Sequence, residues 1–162
     1  MKKYPEQKIK VPRFKEELGF YTTKKRSLLM SKIRGKDTKP EVILRKTLWN
    51  IGIRYRKNVK KLPGKPDIVI SKYKLIIFID GEFWHGFNWK EKKTKIKSNR
   101  EFWIPKIERN MQRDHEVNEQ LKSQGWTVLR FWEQEVKKEF GKCIYEILQH
   151  TDIESFKFYE SI

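Results

Sequence analysis

Several means of holding or addressing a chain are missing from this sequence. Only one of its 162 residues is a cysteine, Cys143. One thiol excludes an intrachain disulfide and any zinc site built on several thiolates. No apolar run approaches the roughly 20 residues that a membrane-spanning helix needs, and mean hydropathy is −0.84. The first ten residues are charged and contain no apolar stretch, so no secretory signal is expected. Histidine occurs three times, so an imidazole placed among acids stands out. Acids themselves are in deficit, 21 Asp and Glu against 38 Lys and Arg, for a formal net charge of +17. Such an imbalance is drawn to a polyanion, because each neutralised phosphate releases counterions. Nucleic acid is the expected partner and a membrane is not, although charge alone does not say whether that partner is cut.

What is present is enough for a folded core: 37% of residues are hydrophobic and 14% aromatic. Residues 1–21 are Lys-rich and weakly patterned and are expected as a basic N-terminal arm. Residues 22–162 show no repeat or linker and are expected to form one domain. Within it, a short basic helix is expected from Lys24 through Ile33. Thr38-Lys39-Pro40-Glu41 reads as a capped helix start, with Ile43, Leu44 and Leu48 facing inward and an end near Gly52. The apolar runs Asp67–Ile70 and Leu75–Ile79 flank Ser71–Lys74 and predict a buried β-hairpin. A polar loop is expected over 86–101, then a long helix from about Trp103 to Gln124 and a third core strand over Trp126–Trp132. A final helix is expected over about 135–149. This order predicts an α/β fold, a mixed central β-sheet flanked by helices.

Two features are hard to explain as packing. Pro63-Gly64-Lys65-Pro66-Asp67 places a carboxylate at the mouth of a buried strand, and the hairpin returns Asp80-Gly81-Glu82-Phe83-Trp84-His85 at the far end of the next. A hairpin turning at 71–74 sets residue 67 opposite 79–80. Asp67, the Ile79 backbone carbonyl and Asp80 then form an oxygen-rich nest suited to a hard cation such as Mg²⁺, which can activate water and stabilise charge on a phosphodiester. The plainer account of Asp67 is a turn residue after Pro-Gly. On the long helix, Trp103, Ile107, Asn110, Asp114, Val117 and Leu121 recur in steps of 4, 3, 4, 3 and 4, which puts Asn110 and Asp114 on the inward face. A buried carboxylate needs a partner, either a core cation or a catalytic group. His85 can accept a proton near neutral pH. Phe83 and Trp84 beside it suit wedging between base pairs or, equally, a strand-end core. Lys90, Lys92, Lys93 and Lys95, with Lys65, suit phosphate contacts, although a lysine run is also an ordinary solvated surface. Glu41 is a capping acid that also falls on the first long helix.

From about Thr22 to Glu135 the chain resembles the very-short-patch-repair (Vsr-type) mismatch endonucleases of bacteria. The matching stretches are Arg26-Ser27 with Met30 and Ile33, Thr38–Leu44, Leu62–Asp67, Phe78–His85, Phe102-Trp103, Asn110 with Arg113-Asp114, and Gly125-Trp126 to Trp132-Glu133. The resemblance implies a type II restriction-endonuclease-like core of the PD-(D/E)XK type and Mg²⁺-dependent nicking of double-stranded DNA. The strand would be cut 5′ to the mispaired thymine of a T·G mismatch. It further implies Asp67 as metal-binding acid with the Ile79 carbonyl, His85 as general base, Asp114 as its orienting partner and Glu41 near the site. Phe83, Trp84 and Trp103 match the aromatic residues that intercalate, with Asn110 beside them on the DNA side.

Asp80 stands where better-known members carry a second histidine. The family's zinc ligands are replaced by Glu82, Gly86–Trp89 and Gln134, so no zinc is expected. A monomer in the bacterial cytoplasm near the nucleoid is expected, linked in function to a cytosine-5 methyltransferase. Two alternatives stay open. One is a zinc-free relative acting as a restriction endonuclease or as the nicking subunit of a restriction-modification system, and the other is a DNA-binding module without cleavage.

Overall fold

Two short runs of β-branched residues organise the sheet. Ile68–Ile70 (β2) and Leu75–Asp80 (β3) pair antiparallel, with Ile68 opposite Ile77 and Ile70 opposite Leu75. A 3-10 turn over Ser71–Tyr73 and Lys74 in the left-handed region close the hairpin. Arg56–Lys57 (β1) adds a two-residue edge strand against β2, and Thr127–Trp132 (β4) runs parallel to β3, giving the order β1-β2-β3-β4. The sheet is therefore mixed, as expected. β1 lies in a run of Arg and Lys with no apolar alternation, and the sequence reading did not include it.

The structure, a computed structural model, describes residues 7–33 and 35–153. The chain falls into two compact units, Gly35–Gly81 with Val117–Ile162 and Met1–Arg34 with Glu82–Glu116. The first holds the sheet. Both of its faces are covered, which explains why β2 and β3 are apolar at every position rather than alternating. On one face Ile68, Ile70, Leu75, Ile77, Ile79, Leu129 and Phe131 pack against the helices α2 (Lys39–Asn50), α5 (Glu133–Lys138) and α6 (Phe140–Leu148). On the other, Val69, Ile76 and Phe78 meet Val117 and Leu121 from the end of α4 (Arg100–Ser123). Gly64 lets the chain pass close over this second layer: with φ +74°, a Cβ there would lie 2.7 Å from Val117.

Several expectations change. Ile43 is 51% exposed rather than inward, because α2 turns Leu44 and Leu48 to the sheet. The last helix is two helices broken at Glu139, so the chain bends and Val136 and Cys143 both reach the core. The α2 cap also differs from a reciprocal box: Thr38 Oγ1 donates to Glu41 Oε1 at 2.9 Å, while Glu41 Oε2 accepts from the Asp37 N–H at 2.9 Å.

The second unit carries α1 (Lys24–Ser31), α3 (Trp89–Lys95) and residues 100–116 of α4. α3 falls where a loop was expected. Its register buries Trp89, and the many lysines that suggested a loop are its exposed face. The N-terminal segment is tied down among the described residues. The Ile9 N–H donates to Gln112 Oε1 (3.0 Å), and Gln112 Nε2 donates to the Gln7 carbonyl (3.1 Å). Phe14 and Phe20 close on Phe102, with ring centroids 4.9 and 5.7 Å away. Gln112 is 2% exposed, so these bonds satisfy a polar group that would otherwise be costly to bury.

Candidate active site

In the sheet unit, β2 starts directly after the Pro-Gly-Lys-Pro segment and so presents Asp67 at its mouth. Asp67 Oδ2 accepts the Ile79 backbone N–H at 2.8 Å, a reach of one residue beyond the strict cross-strand partner, since Ile68 faces Ile77. That bond fixes the carboxylate on β3 near the Ile79 carbonyl's own peptide. Burial pushes the Asp67 carboxyl up to about 6, the Glu41 and Asp80 charges add to the rise, and the Ile79 bond and Arg130 oppose it. A carboxylate in this position is under-compensated when ionised.

Its two acidic neighbours are each engaged. Asp80 is 6% exposed and grips Arg130 through both oxygens, Nε–Oδ2 at 2.6 Å and Nη2–Oδ1 at 2.8 Å. Arg130 also donates to Asn118 (3.0 Å) and lies 4.4 Å over the Phe78 ring. Glu41, 4% exposed, carries the cap bonds described above and stands 3.8 Å from Arg45 Nη1. Sequence reading missed Arg130. Its signal was a lone cation in an otherwise apolar strand, which requires an acid partner.

Among the described residues no three His, Cys, Asp or Glu side chains converge as a metal cage. Mg²⁺ does not need one. It keeps most of its waters and binds through one or two carboxylates together with substrate phosphate oxygens. The donor set at Asp67, hard oxygen with a charge that burial leaves poorly compensated, fits that cation. It does not fit zinc.

In the other unit, His85 Nδ1 lies 2.6 Å from Asp114 Oδ2, joining positions 29 apart in sequence. Both side chains are partly buried, at 21% and 16%. A carboxylate partner selects the tautomer with the proton on Nδ1, which makes Nε2 the basic nitrogen. Asn110, one turn earlier on α4, donates from Nδ2 to the Trp84 carbonyl at 3.0 Å and so holds the segment that carries His85. Gly86 permits the bend that follows: φ is +73°, and a Cβ would fall 2.4 Å from Met111 Sδ. Phe83, Trp84 and Trp103 form one aromatic cluster, with centroids 5.2 to 5.9 Å apart. Phe83 is 45% exposed, while Trp84 and Trp103 are half-buried.

The predicted phosphate contacts are of two kinds. Lys65 and Lys90 are exposed. Lys93 is committed to Glu108 at 2.6 Å, Lys95 pairs with Glu91, and Lys92 sits 4.9 Å over Phe87. The Lys93–Glu108 pair also accepts Trp89 Nε1 at 3.1 Å, anchoring α3 where the zinc-bearing relatives of the sequence reading have metal ligands.

The mixed sheet with a desolvated acid at the hairpin mouth defines the class: a restriction-endonuclease-like α/β core. Comparison with known proteins agrees and narrows it. The family model described as DNA mismatch endonuclease Vsr matches residues 19–91. Type II nicking enzyme V.NmeDIP of Neisseria meningitidis serogroup C is 50% identical over 128 residues, covering 79% of this chain and 86% of that protein. V.HpaIIP of Haemophilus parainfluenzae, also a type II nicking enzyme, is 52% identical over 120 residues, 70% and 85% of the two chains. DNA mismatch endonuclease Vsr of Escherichia coli K12 is 37% identical over 108 residues, 67% and 69%. The chain belongs to the Vsr family of DNA endonucleases.

Proposed function

We propose that the protein nicks one strand of double-stranded DNA in a Mg²⁺-dependent reaction, hydrolysing the phosphodiester 5′ to the mispaired thymine of a T·G mismatch. The observation that carries this is Asp67, whose burial beside two further acids raises its proton affinity. Perturbed carboxylates of this kind cluster at functional sites. Asp67 and the Ile79 carbonyl would hold the cation, which supplies Lewis-acid stabilisation of charge on the phosphate. Asp80, held by Arg130, balances charge around it. His85 accepts the proton of the attacking water at Nε2, and Asp114 holds the imidazole in the tautomer that allows it. Exposed Lys65 and Lys90 meet backbone phosphates, whose contacts position rather than specify. Phe83 leads the aromatic cluster into the mispaired step, where stacking is already weak.

The names of the relatives, several of them type II nicking enzymes, favour a placement beside a restriction-modification system whose cytosine-5 methyltransferase creates the deamination-prone base. In this reading the protein acts as a monomer at bacterial DNA. No helix among the described residues is long and apolar enough to cross a membrane. The test is a panel of duplexes, matched and singly mismatched, methylated and not, incubated with and without Mg²⁺. Nicking confined to T·G duplexes with Mg²⁺ is expected. Cleavage of matched duplexes would identify a restriction enzyme instead, and tight binding without any cleavage a DNA-binding module.

A further inference from the structure

The unit that carries the aromatic cluster also encloses a cavity of about 420 Å³. Phe83, Trp89 and Trp103 give it three ring walls, and Glu82 places one acid in the lining. Arg26, Lys92, Lys95 and Lys97 bring positive charge to the same space. Its volume falls within the roughly 300–1,000 Å³ of small-ligand sites, room for a single nucleotide and not for a stacked duplex. Rings offer a face on which any base can stack, cations suit the phosphates on either side of it, and a carboxylate accepts from an exocyclic amino group or ring N–H.

The walls are in place beforehand. Trp89 is 8% exposed, and its indole N–H is fixed by Glu108, which Lys93 holds in turn. Two of the walls, Phe83 and Trp103, with centroids 5.5 Å apart, also belong to the wedge cluster, whereas Trp84 belongs to the wedge and not to the lining. A base displaced by Phe83 would therefore arrive beside a prepared receptacle.

We infer that this cavity receives one unstacked base of the DNA substrate, so that recognition includes a flipped nucleotide as well as a wedge. The inference rests on the reading of the chain as an enzyme acting at a mispaired step, since extrusion costs least for a mismatched base.

Wild-type protein saturated with a duplex carrying one T·G mismatch, without divalent metal, is followed by imino-proton NMR. The two imino resonances of the wobble pair should disappear while those of distant pairs persist. Their survival in the complex would overturn the inference. Independently, Ser98→Phe and Ile96→Trp fill the cavity. Affinity for the mismatched duplex should fall about tenfold, the scale of losing one base–aromatic stack. Affinity should not change for one of two duplexes with a tetrahydrofuran abasic residue in place of the thymine or of the guanine. Equal losses on all three duplexes would also overturn it. Loss of the wobble resonances in a protein that never nicks DNA with Mg²⁺ would instead reject the nicking reading and leave the base pocket standing.

Discussion

Replacing Asp67 by asparagine isolates the charge on which the proposed chemistry depends. The folded carboxyl titrates at about 6 against an ordinary 3.8. That is about two pH units, and at 1.36 kcal/mol per unit the ionised form costs roughly 3 kcal/mol of stability. The sign follows from proton uptake. Between pH 4 and 6 the folded state binds more protons at this site than the unfolded state, so stability falls as pH rises through that window. The cost is complete above pH 6 and absent below about 4. Asparagine keeps the shape and can still accept the Ile79 N–H, so Asp67→Asn removes the cost. Without divalent metal at pH 7.5, the variant should be about 2–3 kcal/mol more stable than the wild type, a rise of roughly 4–10 °C in Tm for a chain of this size. The gain should vanish near pH 4. Mg²⁺ should raise the wild-type Tm and leave that of the variant unchanged, and the variant should not cleave. Thermal melts across pH 4–8 with and without Mg²⁺ measure all of this. A variant no more stable than wild type at pH 7.5, or a gain that persists at pH 4, would refute the reasoning.

His85→Ala should slow single-turnover cleavage by the ~10²–10⁴-fold typical of a lost general base, with Asp114→Asn costing less because it loses only orientation; an unchanged rate for His85→Ala would remove it from the mechanism. Phe83→Ala should strongly weaken cutting of mismatched DNA with little change in Tm, since this ring is already 45% exposed, whereas a loss of ~3 kcal/mol or more in a denaturant melt would mark it as a core residue. Arg130→Met leaves Asp80 buried without its guanidinium and should cost ~3–5 kcal/mol, measured by urea unfolding. Metal analysis of protein purified without chelator should find no stoichiometric zinc.

The sequence by itself determined the parts that rest on short-range patterning. β-branched runs around a four-residue turn specify the β2–β3 hairpin, and the 4-3-4-3-4 apolar recurrence specifies the inward face of α4, because side-chain periodicity is a local property of the backbone. The Pro-Gly-Lys-Pro-Asp segment put a carboxylate at a strand mouth for the same reason. It did not determine which polar groups would meet. Arg130 and Asp80 lie 50 positions apart, Gln112 and Gln7 are 105 apart, and each pair joins only because packing brings separate elements together. The lysines of residues 90–97 masked α3, since a helix held by one buried indole has too little apolar stripe to announce itself. Ile43 turned outward because the orientation of α2 is set by the sheet it covers and not by its own composition. The proton affinity of Asp67 belongs wholly to the tertiary structure. Desolvation and the nearness of Glu41 and Asp80 are facts about space, and a carboxylate acquires them only when the chain around it has closed.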